Sequence, residues 1–64
     1  PVPPPLKPYM DRALAGDAAA MHMLGVRYYN GLDVPQNKAE GLRWYRRAAE
    51  AGDRAAQAEL RQLQ

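Results

Sequence analysis

The sequence predicts an all-α fold, a short α-solenoid in which four helices form antiparallel pairs and make up about one and a half to two repeats. Three observations lead to this prediction. Alanine, the strongest helix former, is abundant, and phenylalanine is absent. Apolar residues recur at helical spacing between glycine, proline and aspartate positions that end or begin helices. The chain also matches itself when it is shifted by 36 residues.

The first seven residues are predicted to form a proline-rich linker, and residues 8–64 to form the helical domain. Residues 1–5 read P-V-P-P-P. Proline fixes φ and lacks an N–H group, so the segment is expected to be an extended polyproline II tether rather than a helix. The alternative to a linker is a ligand for a proline-recognising domain.

Two helices follow this linker. Pro8 suits a first helical turn, and the first helix is expected from Pro8 to Ala15. Gly16 is expected to end it in the left-handed conformation, and Asp17 to cap a second helix from about Ala18 to Tyr29. Steps of four residues predict the buried stripe of the second helix, which consists of Ala20, Leu24 and Tyr28, with Met21 and Gly25 beside them.

A loop of residues 30–36 precedes the third helix. It contains Gly31 and Asp33, two residues that tolerate positive φ. Asn37 is expected to cap the third helix, which should run to about Ala51. Glu40 lies three residues after Asn37, which is the spacing of a capping box.

The fourth helix repeats the arrangement of the second. Gly52 and Asp53 form the same glycine–aspartate joint, and the helix is expected from about Arg54 to Leu63. The residues of the third and fourth helices that should face inward are Leu42, Tyr45, Ala48, Ala49, Ala56, Leu60 and Leu63, with Trp44 at the edge. The residues that should face water are Arg43, Arg46, Arg47 and Glu50.

The 36-residue shift gives nine identities in 28 overlapped positions, including the A-x-G-D joint in register with a tyrosine and two leucines. A longer pattern runs A-x-x-x-L-G-x-x-Y-x-x-G-x-x-V, then W-Y-x-x-A-A-x-x-G. Its residues are Ala20, Leu24, Gly25, Tyr28, Gly31, Val34, Trp44, Tyr45, Ala48, Ala49 and Gly52. On these residues the stretch from Ala20 to Gly52 resembles the Sel-one-like repeat (SLR), which is related to the tetratricopeptide repeat.

The resemblance implies an adaptor or scaffold that binds a peptide or a partner protein on its helical surface. We therefore expect a protein–protein interaction module, the C-terminal domain of a larger bacterial protein. Two departures from the family pattern matter. Gly41 replaces a helical alanine, at a cost of about 1 kcal/mol. Arg61 replaces the glycine expected after Leu60, so the fourth helix is expected to act as a cap at the end of the array.

Other classes of function have little support in the sequence. There is no cysteine, and His22 is the single histidine, so neither a metal site nor a catalytic set of paired titratable groups is indicated. We predict no enzymatic activity and no cofactor. The net charge of +2 comes from interspersed signs, which does not favour nucleic-acid binding. No apolar run approaches the ~20 residues of a membrane span, so direct membrane insertion is not expected.

The partner-binding residues are predicted on the face of the second helix that lies opposite its predicted buried stripe. They are His22, Met23, Val26, Arg27 and Tyr29. The alternative is that the preceding helix covers most of them. A second alternative is a structural module that self-associates as a homodimer, because fewer than three repeats rarely stand alone.

The compartment is predicted from the order of the segments. A proline-rich tether before a small repeat domain fits a periplasmic module tethered to a bacterial envelope. A cytoplasmic scaffold is the alternative.

Overall fold

The computed structural model describes residues 2–63, and in this part of the chain every regular element is helical. A 3₁₀ turn at Pro4–Leu6 leads into α1 (Lys7–Leu14), followed by α2 (Ala18–Asn30), α3 (Lys38–Glu50) and α4 (Arg54–Leu63). α1 packs against α2, α2 against α3, and α3 against α4. The predicted all-α fold of four helices is confirmed, and the predicted helix bounds differ from the observed ones by no more than one residue.

The sequence predicted that the proline-rich segment is extended, but only part of the segment is. Pro3 has extended angles, but Pro4–Leu6 form a 3₁₀ turn in which the Leu6 amide donates to the Pro3 carbonyl at 2.9 Å. Two prolines are compatible with this turn, because their fixed φ matches it and its first residues need no N–H donor. Leu6 is fully buried and packs as a core residue. The predictions for Pro1 and Gln64 lie outside the described residues.

The two glycine–aspartate joints have the same geometry, as predicted. Gly16 and Gly52 both have a φ of +100°, and both precede a capping aspartate. The Asp17 carboxylate accepts the amides of the first turn of α2, and the Asp53 carboxylate accepts the Ala56 amide at 2.8 Å. Each joint therefore satisfies free N–H groups of the next helix.

The loop between α2 and α3 also follows the sequence prediction in most respects. Gly31 and Asp33 have φ values of 74° and 65°. The Asn37 side chain accepts the Glu40 amide at 3.0 Å, which caps α3. The reciprocal half of the capping box does not form, because the Asn37 amide donates to the Tyr28 carbonyl and the Glu40 carboxylate pairs with an arginine.

Two glycines allow α2 and α3 to approach closely. A Cβ atom added to Gly25 would lie 2.7 Å from the Cδ1 atom of the Tyr45 ring. A Cβ atom added to Gly41 would lie 2.6 Å from the backbone nitrogen of Tyr29. Gly41 was expected to be a cost to the helix, but it is the residue that permits this crossing.

The core consists of two clusters, one on each side of α3. The first contains Trp44 and residues of α1 and α2, and its buried members are Leu6, Ala13, Ala20, Leu24 and Trp44. The second joins α2, α3 and α4 through Tyr45, Ala48 and Ala56. The prediction that Trp44 lies at the edge is wrong, because its side chain is only 5% exposed and packs under α1. The position of α1 over Trp44 is a tertiary contact that helical spacing does not reveal.

Candidate functional site

One line of α2 residues is left open between the neighbouring helices. Ala19, Met23, Val26 and Asn30 follow one another at steps of four, three and four, so they lie on one face of the helix. Ala19 and Asn30 are exposed, and Met23 and Val26 are half-buried. We refer to these four residues as the open stripe. Its centre is apolar, because Met23 and Val26 occupy it.

The fourth helix carries residues equivalent to this stripe, and we call the surface formed by the open stripe and these α4 residues the α2–α4 groove. α2 and α4 both pack against the second core cluster, around Tyr45. The 36-residue repeat places Ala55, Glu59 and Gln62 of α4 at the positions that correspond to Ala19, Met23 and Val26. Glu59 is half-buried and the other two are exposed. The groove therefore combines an apolar stripe on α2 with a polar, acidic wall on α4.

The α2–α4 groove contains only part of the set predicted from the sequence. Met23 and Val26 of the open stripe were predicted, whereas Ala19 and Asn30 of the stripe and Glu59 and Gln62 of α4 were not. The two α4 residues carry a signal that was already in the sequence, because the repeat aligns them with Met23 and Val26. Asn30 was missed because it was placed in the loop, while the structure extends α2 to include it.

His22 lies at the edge of the groove next to the second joint. Its ring centroid is 5.7 Å from that of Tyr45, and its Nδ1 atom is 4.0 Å from the Asp53 Oδ2 atom. The Nε2 atom is buried without a hydrogen-bond partner in the described residues. His22 therefore connects α2 with the start of α4 and offers little of its ring to a ligand.

Arg27, one turn after Met23, is held by contacts with α1 and with the loop after α2. Its Nη2 atom donates to the Tyr9 hydroxyl at 2.9 Å, and its Nη1 atom pairs with Asp33 at 3.1 Å. Its guanidinium also lies 4.7 Å from the centroid of the Tyr9 ring. These contacts join α1, α2 and the loop after α2.

Tyr29 belongs to the helix crossing. Its ring centroid is 6.0 Å from that of Tyr45, its backbone faces Gly41, and Lys38 lies 5.6 Å from its ring. The five predicted residues therefore differ in the contacts that they make. Met23 and Val26 lie together on the open stripe, His22 borders it, and Arg27 and Tyr29 make contacts within the fold.

Two tyrosines of the fold have a raised pKa. Burial raises the pKa of Tyr45, and the nearby Glu59 carboxylate and Tyr29 raise it further. Burial also raises the pKa of Tyr28, with a smaller contribution from Glu40. Both phenols are therefore held in the neutral form beyond the pH at which free tyrosine ionises.

The described residues show a surface rather than an enclosed site. Residues 2–63 contain no pocket and no cluster of three His, Asp or Glu side chains that would bind a metal ion. None of the four helices has both the length and the hydropathy needed to cross a membrane. What this part of the chain offers is a helical surface with an apolar stripe.

The comparison with protein families agrees with this geometry. The model of the Sel1 repeat matches residues 18–53, which is more than half of the chain. The chain belongs to the Sel1 repeat family. The matched Sel1 repeat begins with α2, includes α3, and ends at Asp53, the cap of α4. Neither a curated protein nor a solved structure matches the chain.

Sel1 repeats generally mediate protein–protein interactions, and the family is typically non-catalytic. Because the matched residues span α2 and α3, this helix pair is the repeat itself. α1 and α4 are helices of the neighbouring half-repeats, since each aligns with α3 or α2 after the 36-residue shift.

Proposed function

We propose that this Sel1 repeat chain is an adaptor or scaffold module that binds a segment of a partner protein in the groove between α2 and α4. The observation that carries the proposal is the open stripe. Met23 is half-buried but belongs to neither core cluster among the described residues. A methionine that does not fill the core is available to a ligand.

The chemistry of the groove suits a peptide or a helix better than a small molecule. Methionine is flexible and polarisable, and it adapts to different apolar partners. No enclosed pocket accompanies it in residues 2–63. Met23 and Val26 can receive the apolar anchors used in helix-in-groove recognition, while Glu59 and Gln62 can hydrogen-bond to polar side chains of the bound segment.

The residues predicted from the sequence take different parts in this proposal. Met23 and Val26 make apolar contact with the partner, and the exposed part of His22 borders the bound segment. Arg27 and Tyr29 hold α2 against α1 and α3 through the contacts described above. Substitution of these two residues should lower stability before it lowers affinity.

A peptide-display selection tests the proposal. Peptides selected on the wild-type chain are measured by fluorescence anisotropy against Met23→Asp, with Ala39→Asp as the matched control on the exposed side of α3. We expect Met23→Asp to weaken binding about ten-fold or more, because a carboxylate must be desolvated in an apolar contact. Ala39→Asp should bind as the wild type does. Equal affinity for all three chains would contradict the proposal.

A further inference from the structure

The internal repeat places equivalent apolar residues at two positions of the fold, and within residues 2–63 they are buried at the first position and half-buried at the second. Leu6, Ala13 and Leu24 are 0%, 3% and 0% exposed. Their equivalents 36 residues later are Leu42, Ala49 and Leu60, and these three are only half-buried. The residue types are identical, so the difference comes from what packs on them.

A helix covers the first set. Leu6, Ala13 and Leu24 lie in the cluster that is closed by Trp44 of α3 and by Val34 of the preceding loop. The repeat places the second set on α3 and α4, in the same relation that the first set has to α1 and α2. No helix of residues 2–63 occupies the place that corresponds to α3. We call Leu42, Ala49, Leu60 and Leu63 the α3–α4 edge; all four pack against the second cluster from its rim.

Two arginines border this edge. Arg46 comes four residues after Leu42 and three before Ala49, so the three side chains are neighbours on α3. In the repeat it aligns with Met10, which packs against the first cluster. Arg61 follows Leu60 and aligns with Gly25, against which the Tyr45 ring of α3 packs. Both arginines are exposed, and neither makes an ion pair within the described residues.

Arg46 and Arg61, which stand where the first half of the repeat has Met10 and Gly25, change the kind of helix that can pack against the α3–α4 edge. A helix like α3 cannot come as close to Arg61 as α3 comes to Gly25, because a long side chain stands where the glycine allows contact. A helix with acidic residues at its borders would lie over the leucines and pair with both guanidinium groups. Arginine favours such pairing, because its planar group binds carboxylates with two parallel hydrogen bonds.

We propose that the α3–α4 edge binds one amphipathic helix of a partner protein, whose apolar stripe is bordered by acidic residues. Its stripe covers Leu42, Ala49 and Leu60, and its carboxylates pair with Arg46 and Arg61. This surface is separate from the α2–α4 groove and does not depend on it. α4 spans Arg54–Leu63, so a matching helix needs about three turns, or roughly 15 Å.

The probe for this proposal is derived from the chain itself. It is a synthetic peptide of residues 37–51, stapled between positions 39 and 43 to hold it helical. In this peptide Arg47, one turn after Trp44, is replaced by Glu, so that it borders the Trp44 face together with Glu40. Arg46, on the opposite face, is replaced by Gln, and Trp44 is kept as the apolar anchor. The control is the same stapled peptide with its native arginines. Binding to the full chain is followed by amide chemical shifts and by fluorescence anisotropy at low and high salt.

The acidic peptide is expected to bind and the basic control to bind more weakly. Amide shifts should change at Leu42, Ala49 and Leu60 and not at Met23. Charge reversals in the full chain, Arg46→Glu and Arg61→Glu, should each weaken the acidic peptide by about two- to five-fold and reduce the salt dependence. Both positions are exposed, so helical circular dichroism should remain unchanged.

Three results would overturn the proposal. The first is equal binding of the two peptides, which would remove the charge requirement. The second is a set of shifts confined to Met23 and Val26, which would assign the peptide to the α2–α4 groove and leave the proposed function standing. The third is a stable dimer in sedimentation equilibrium that protects the α3–α4 edge, because a second copy would then be the occupant.

Discussion

Replacing Gly41 with alanine sets two physical effects against each other. Alanine stabilises a helix interior by about 1 kcal/mol relative to glycine. The added Cβ atom, however, would lie 2.6 Å from the Tyr29 Cβ and backbone nitrogen and 2.7 Å from its Cα. Backbone atoms cannot rotate away as a flexible side chain can. α2 and α3 would therefore have to separate along the whole crossing.

The size of the effect follows from these two terms. Inserting a methyl group into a packed interior costs typically about 1–3 kcal/mol. A contact with backbone on a buried helix crossing belongs at or above the upper end of that range. After the propensity gain, we expect Gly41→Ala to destabilise the fold by about 2 kcal/mol or more. A chain of this size loses roughly 4–8 °C of Tm per kcal/mol.

Thermal unfolding followed by circular dichroism measures this effect. Ala39→Gly is the matched control, because residue 39 is exposed on the same helix and tests propensity alone. It should destabilise by about 0.5–1 kcal/mol. The two opposite substitutions should therefore both lower the Tm. If Gly41→Ala instead raises the Tm, the close crossing is not a feature of the folded chain.

Three further predictions concern the cap, the core and the buried phenol. Asp53→Ala removes the cap on the Ala56 amide and should cost about 1 kcal/mol in urea unfolding; an unchanged midpoint would contradict the cap. Leu24→Ala should cost about 2–5 kcal/mol, whereas Leu60→Ala, at the equivalent but half-buried position, should cost clearly less. Equal losses would mean that the α3–α4 edge is already covered. The raised pKa of Tyr45 means that its neutral form stabilises the fold fully below pH ~10, and that this contribution is lost as the pH rises through the folded-state pKa. Because the pKa of Tyr28 is also raised, an ultraviolet titration should show two late-ionising tyrosines, one of which is missing in Tyr45→Phe.

The parts of the fold that depend on local chemistry were predictable. Glycine before aspartate specifies a left-handed residue followed by a helix cap, and both joints have that geometry. Apolar steps of three and four residues identified the buried faces of α2 and α4. These signals are contained within a few neighbouring residues, so no knowledge of the tertiary arrangement was needed.

The features that were missed depend on which helix packs where. Proline chemistry alone favoured an extended segment, but burial of Leu6 draws Pro4–Leu6 into the domain. Gly41 was predicted to be a cost because its partner, the backbone of Tyr29, is distant in sequence. The contacts of the predicted partner-binding residues could not be foreseen for the same reason, since Arg27 donates a hydrogen bond to Tyr9 on α1.

The joints at Gly16 and Gly52 carry one more consequence. No atom lies within 4 Å of the Cβ position at either glycine, so nothing in the surroundings excludes a side chain there. The requirement is one of chirality, because a φ of +100° disfavours an L-residue and suits its mirror image. A D-alanine would fit both joints and would restrict the unfolded chain as well. The turn between successive helices is thus selected by the handedness of a single residue.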